Sequence, residues 1–199
     1  MVTAAVVGYL AGTIPSADLV ARTASGGSID LRTTGSGNPG GANAARVLGR
    51  RWGYAVMAAD IAKGALACAA GRGIGGDLGA HIAGTSAVVG HCYPVWTRFR
   101  GGKGVAAGVG QCMATFPAYL PIDLAVAAAS STSAALKNRA LAATAAASVG
   151  WVAGGVLWWR RGWPNWWGPR PTAALPIAAA ASSAVILYRF ATARPPDGS

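Results

Sequence analysis

Two glycine-rich segments hold the residues best suited to chemistry. The first, "GSGNPGGAN" (35–43), is followed by Arg46, Arg50 and Arg51, and the second, "RFRGGKG" (98–104), carries three cations of its own. Glycines let successive backbone N–H groups turn toward one point and form an anion-binding nest. The three arginines stand at the foot of the second apolar span, whose helix N-terminus would add its amides to that nest. Two such loops at one surface suit a pair of phosphate groups. The blander alternative is two flexible loops that carry cations because inner membrane loops do. Either loop alone reads the bland way; both together favour the phosphate site.

Two named motifs fail on inspection. Gly35-Ser-Gly37-Asn-Pro-Gly40 spells G-x-G-x-x-G, and Asp60 stands where a ribose-binding acid would. That fingerprint requires a preceding buried strand, and "DLRTT" is not one. In "GGKGV" (101–105), Lys103 is followed by glycine rather than serine or threonine, so it is no Walker A loop.

Other polar residues sit inside apolar stretches. Asp60 and Lys63 are three apart, hence on one helix face. A lysine at the bilayer centre costs about 2.5–3.5 kcal/mol on insertion scales. The pair is either a mutually neutralising structural contact or part of a substrate site. His91 precedes the second glycine loop and is either a general base or a hydrogen-bonded interhelical residue. The 6 acidic residues are all aspartates and are scattered, which excludes the paired carboxylates of a glycosidase. Cys68, Cys92 and Cys112 lie in apolar segments without CxxC spacing and read as small hydrophobes. Consecutive helical residues do not face each other, so His91 and Cys92 form no dyad.

The elements that must position these residues are membrane spans. Of 199 residues, 53% are hydrophobic and only 12% charged, where soluble domains carry about 25%. The net charge of +11 lies in short gaps between apolar runs, which indicates a membrane protein rather than a nucleic-acid binder. Spans are expected at 2–21, 52–71, 78–96, 104–117, 119–136, 141–159 and 173–191, each near the ~20 residues that ~30 Å of hydrocarbon requires. Pro117 and Pro121 divide a stretch too long for a single span. No cationic segment precedes the first span, so it is not read as a cleaved signal peptide. The expected fold is all-α: a polytopic transmembrane bundle of about seven helices forming one domain (1–191), with a disordered tail (192–199). With the N-terminus outside, one face receives Arg22, Arg32, Arg46, Arg50, Arg51, Arg98, Arg100, Lys103, Lys137, Arg139, Arg189 and Arg194. The other receives only Arg72, Arg160, Arg161 and Arg170, so the N-terminus is placed outside and the C-terminus in the cytoplasm. The tryptophan-rich "WWRRGWPNWWGPR" (158–170) reads as an interfacial anchor.

"GTIPSADL" (12–19), "DLRTTGSGNPGGANAAR" (30–46), "DIAKG" (60–64) and "GHCYPVWTRFRGGKGVAAG" (90–108) resemble, in that order, the bacterial acyl-phosphate:glycerol-3-phosphate acyltransferase family. The resemblance implies a multi-pass enzyme of the bacterial cytoplasmic membrane, with its site toward the cytoplasm. It would move a fatty acyl group from acyl phosphate to the 1-hydroxyl of glycerol 3-phosphate, giving lysophosphatidic acid and phosphate. Its partners would be those two substrates and membrane lipid, with no metal or other cofactor. By the same resemblance, Ser36, Asn38 and Asn43 would donate to the acyl phosphate within a cradle shaped by Gly35, Gly37 and Gly40. Arg46 and Lys103 would hold the glycerol phosphate or the transition state, and Thr13, Gly101, Gly102 and Gly104 would complete the binding surface. His91 is left as a positioning group or weak base, because a substrate phosphate can take the proton. Ser36 as an acyl-enzyme nucleophile would lack an adjacent activating base.

The chain departs from the family pattern at several positions. Thr13 stands for a serine, Ala42 and Ala107 for threonines, and "ALAATAAA" (140–147) for a serine-containing run. Phe190 and Ala193 occupy the places of a histidine and an asparagine linked to glycerol-phosphate binding. The donor half of the site thus looks kept and the acceptor half altered. Two rival readings follow: a relative that binds acyl phosphate but uses another acceptor or has lost turnover, and a small anion carrier. The carrier would show an inverted repeat, and none is found.

Overall fold

A computed structural model describes residues 1–132 and 140–193; it contains helices and, among the described residues, no strand. Lys137, Arg139 and Arg194, the end of the fifth expected span and the tail from 194 onward lie outside the described residues. The helices are α1 (Val2–Gly12), α2 (Ser16–Ser25), α3 (Gly41–Val47), α4 (Arg50–Cys92), α5 (Val105–Thr115), α6 (Leu120–Thr132), α7 (Ala140–Arg161) and α8 (Ala174–Thr192). Among the described residues, four helical stretches are long and apolar enough to cross a membrane, or five if the bent pair Val105–Thr115 and Pro117–Val126 counts as one.

The first expected span is in fact two helices. Pro15 cannot donate to a helical ladder, and α1 closes with the Thr13 N–H bonded to the Tyr9 and Leu10 carbonyls. The chain then turns into α2, which leaves the Ile14 carbonyl without a helical donor. The second and third spans are two helical arms, together called α4, joined by a non-helical kink at Gly75 and Gly76 where the chain folds back. Gly76 has φ 61°, ψ −152°, a conformation open to glycine alone. Residues 71 and 79 touch across the turn. The break expected near Pro117 is present, as a bend of 113°.

Small residues let the helices approach. Gly8 and Gly12 of α1 lie against the backbone of Ala83 and Ala87 in the second arm of α4, so a Cβ at either glycine would strike a carbonyl. Close backbone approach of this kind is how apolar helices associate without a hydrophobic driving force between them. Interhelical hydrogen bonds add to it: Ser182 Oγ donates to Gln111 Oε1 (2.7 Å), and Gln111 Nε2 donates to Thr85 Oγ1 (3.3 Å).

The bundle has two dissimilar ends. At one, Met1 packs near Gly75, Arg72 pairs with Asp77 (3.1 Å), and Asp77 accepts from the Arg170 N–H (3.1 Å). The other end collects both glycine loops and the last turn of α8. Ala17, Ala21, Leu31, Ala44 and Val56 pack together beneath the first loop. Val88, Cys92, Ala107 and Ile186 do so beneath the second.

Candidate active site

The break between α1 and α2 creates the floor of the site. Lys63 Nζ donates to the freed Ile14 carbonyl (2.9 Å) and to Ser16 Oγ (3.1 Å), and it pairs with Asp60 Oδ1 (2.9 Å). An ammonium has three donors, so Lys63 is fully occupied by protein partners. Ser16 Oγ also donates to Asp60 Oδ1 (2.8 Å), and His91 Nδ1 lies 3.5 Å from the same oxygen. Asp60 is 3% exposed, Lys63 6% and His91 7%. Burial of this depth is tolerable for charges only when they are paired and hydrogen-bonded. The Asp60–Lys63 pair is thus neutralised within the fold, and Asp60 also steers the His91 ring.

His91 fixes the second loop from the opposite side. Its carbonyl accepts the Gly102 N–H (3.1 Å), and the Cys92 carbonyl accepts the Gly101 N–H (3.1 Å). A Cβ on Gly102 would collide with the His91 ring, so only glycine fits there. The amides of Gly101 and Gly102 thus close the loop instead of forming the expected anion nest. Their carbonyls are held by a residue that sequence reasoning did not select: Arg189 Nη2 donates to Gly101 O (2.8 Å) and Nε to Gly102 O (3.4 Å). What the loop presents is the Lys103 side chain, half-buried, with its ammonium 4.3 Å from the centre of the Phe190 ring. Burial, and next the neighbouring Arg189, lower the Lys103 pKa from its ordinary value. Gly104, at φ 88°, then starts α5.

The first loop is built differently. Asn43 is 2% exposed; its Nδ2 donates to the Leu31 (3.0 Å) and Thr34 (2.9 Å) carbonyls, and its Oδ1 accepts the Ser36 N–H (2.8 Å). Both side-chain donors of Asn43 are thereby engaged in latching the loop, not in reaching a ligand as expected. Gly35 and Gly37 take φ 65° and 67°, which glycine allows without steric cost. Gly40 leads into α3, whose first turn carries no side-chain cap. The expected helix N-terminus exists, but it belongs to this short helix and not to the second span. Ser36 and Arg46 are exposed and Asn38 is half-buried.

Arg32, also unselected, ties the two loops together. Its guanidinium pairs with Asp18, lies 3.7 Å from Asp30, and donates from Nε to the Arg100 carbonyl (2.9 Å). The signals for Arg32 and Arg189 were only their positions, in "DLRTT" and at the end of the last span. Thr13 Oγ1 donates to the Leu10 carbonyl (2.7 Å) and accepts from Trp96 Nε1 (3.0 Å), so its hydroxyl is satisfied within the fold.

These parts line an open polar cleft of about 280 Å³, its mouth included, walled by Thr13, Ser16, Arg32, Asp60, Lys63, His91, Gly101 and Gly102, among others. Of the residues singled out from sequence, it gathers Thr13, Asp60, Lys63, His91, Gly101 and Gly102, while Ser36, Asn38, Asn43, Arg46 and Lys103 stand outside its lining. A second, larger cavity of about 710 Å³, its open mouth included, starts at Val105 and runs past Gly108 and Cys112 to Trp151. It is apolar except for Asp123, Thr144 and Ser148. Lys103 and Gly104 lie in sequence between the walls of the two.

An all-helical bundle of small-residue-packed apolar helices with a cationic, glycine-rich end defines a class of polytopic helical membrane protein. The whole described chain fits one such class: residues 2–193 match the family model described as glycerol-3-phosphate acyltransferase. The chain belongs to that family. A glycerol-3-phosphate acyltransferase of Thermoanaerobacter pseudethanolicus is 42% identical over 63% of this chain, and one of Exiguobacterium sibiricum is 46% identical over 56%. The matched stretches span 62% and 53% of those relatives' own lengths. Among solved structures, the fold is similar to the crystal structure of PlsY (YgiH), an integral membrane glycerol 3-phosphate acyltransferase, in its glycerol 3-phosphate form. There the TM-score is 0.75 at 26% identity, covering 96% of this chain and 88% of that one. Its lysophosphatidic acid form matches with a TM-score of 0.72 at 25% identity, covering 95% and 87%.

Proposed function

We propose that this protein transfers a fatty acyl group from acyl phosphate to the 1-hydroxyl of glycerol 3-phosphate, releasing lysophosphatidic acid and phosphate. One observation carries the reading: within five consecutive residues, Gly101 and Gly102 line the polar cleft and Val105 lines the apolar cavity, with Lys103 between them in sequence. An acyl phosphate has the same two-sided character. Its chain suits the cavity along α5, and its phosphate suits the loop end, where Lys103, Arg46 and the uncapped first turn of α3 offer positive charge.

The reaction needs little covalent help. Acyl phosphate is a mixed anhydride with an activated carbonyl and a good leaving group. The acceptor oxygen bonds to the carbonyl carbon, the bond from that carbon to the phosphate oxygen breaks, and the hydroxyl proton passes to the departing phosphate. The protein's part is to hold two anions close, orient the hydroxyl and stabilise charge as it develops. His91, oriented by Asp60, is a positioning group in this scheme. The glycine-loop end faces the cytoplasm of a bacterial cell, with seven passes counted as α1–α2, the two arms of α4, and α5 to α8. That topology accords with termini at opposite ends of the bundle and with the bias of cations toward the loop end.

The test is phosphate release by the purified protein from palmitoyl phosphate, with and without glycerol 3-phosphate. Acceptor-dependent release supports the reading. Bound palmitoyl phosphate without acceptor-dependent release would refute it and direct attention to other alcohols, because Phe190 and Ala193 have changed the acceptor side.

A further inference from the structure

We propose that the last turn of α8 is a positioning element for Lys103: the Phe190 ring seats its ammonium while Arg189 clamps the loop that carries it. This rests on the acyltransfer reading, in which Lys103 meets a substrate phosphate. The loop backbone is held on both sides of Lys103, but a lysine side chain is a flexible stem bearing a point charge, so the backbone alone does not place the ammonium. No carboxylate among the described residues lies within ion-pairing distance of it: Asp18, Asp30, Asp60 and Asp77 pair with other cations, and Asp123 lines the apolar cavity. What faces the ammonium instead is the Phe190 ring at 4.3 Å, well within the ~6 Å reach of a cation–π contact.

The ring is itself held, because Phe190 packs against the cluster of Val88, Cys92, Ala107 and Ile186. One residue earlier, Arg189 uses two donors on the Gly101 and Gly102 carbonyls, and its guanidinium stacks 5.3 Å from the Tyr93 ring centre. Two cations therefore sit side by side with aromatic faces, not carboxylates, as their compensation. That choice has a consequence for binding. A carboxylate would occupy ammonium N–H groups and compete with an incoming anion. A ring face restrains the charge through its quadrupole and leaves N–H donors for a phosphate. Phe190, read from sequence as an eroded polar contact, is thus a substitute of another kind, and it reduces the ordering that Lys103 must undergo on binding.

The direct readout is the rate at which Lys103 is acetylated by acetic anhydride in detergent-solubilised protein, followed by peptide mass spectrometry. In Phe190→Leu, Lys103 labelling should rise roughly three- to tenfold, the factor a partly desolvated cation–π contact accounts for; in Phe190→Tyr, which keeps the ring, it should stay at the wild-type rate. The buried Lys63 reports in the same digest whether the fold is intact. With glycerol 3-phosphate saturating, Phe190→Leu should lower kcat/KM for palmitoyl phosphate by a similar factor, and tyrosine should restore it. Equal Lys103 labelling in wild type and Phe190→Leu overturns the seat, as does equal impairment of the leucine and tyrosine variants. Wild-type protein without acceptor-dependent transfer would refute the acyltransfer reading separately, and labelling would still decide the seat.

Discussion

The two glycine loops share a composition and differ in what they offer. The first, 35–43, is latched from within by Asn43 and leaves an uncapped helix start, an exposed Ser36 and an exposed Arg46 facing outward. The second, 98–104, uses the amides of Gly101 and Gly102 on the carbonyls of His91 and Cys92, and offers a cation. Glycine in the first loop serves positive φ; in the second, at Gly102, it serves the close approach of an imidazole. The lesson is that glycine-plus-cation composition marks a place where backbone and anion meet, without saying whether backbone or side chain does the binding.

Breaking what both loops rest on should have the largest effect. Lys63→Met leaves Asp60 buried without its cation, and a buried pair broken on one side costs about 3–5 kcal/mol. Thermal unfolding in detergent should show a large drop in midpoint, and an unchanged midpoint would remove the shared floor from the account. Lys103→Ala comes next and separates the loops: transfer should fall by roughly 10²–10³, the usual effect of deleting one charge-stabilising donor, with the unfolding midpoint retained. Near-normal initial rates would mean that the second loop is only scaffold. For the first loop the balance reverses. Asn43→Ala leaves the Ser36 N–H and the Leu31 and Thr34 carbonyls without their partner and should destabilise by about 1–3 kcal/mol, whereas Asn38→Ala should barely move the midpoint; equal shifts would discredit the latch.

The smallest expected effect concerns pH. Burial and Arg189 favour the uncharged Lys103, so its active ammonium is lost as pH rises through a value below the usual 10.5. The alkaline fall in transfer rate should therefore begin earlier than for an unperturbed lysine. In Lys103→Arg, whose guanidinium stays charged throughout this range, whatever activity remains should lose that alkaline limb in a pH–rate profile.

Much of this was legible in the residues themselves. Apolar run lengths indicated helices of membrane-crossing length, Pro117 announced the break before α6, and the ordered motifs from Gly12 to Gly108 pointed to the family. Positions within a few residues of one another fell into place because hydrogen-bonding rules and steric limits act locally: Gly35 and Gly37 at positive φ, and Asp60 beside Lys63 on one helix face. Pro15 was equally local, yet its break was absorbed into a single expected span, because hydropathy averages over a window and does not register one missing donor.

Only the tertiary structure decided what each polar group does. Lys63 became a structural link because the α1–α2 break brings it the Ile14 carbonyl from 49 positions away. Arg189 became a clamp on a loop 88 residues earlier in the chain, and Phe190 became a seat for Lys103 when α8 packed back against α5. Such pairings depend on how helices cross, which small residues such as Gly8 and Gly12 permit but no single segment encodes. The sequence by itself determined where charge and flexibility would collect. Packing determined which donors remained open once the fold had satisfied its own carbonyls, because a hydrogen bond made within the protein is one withheld from a substrate.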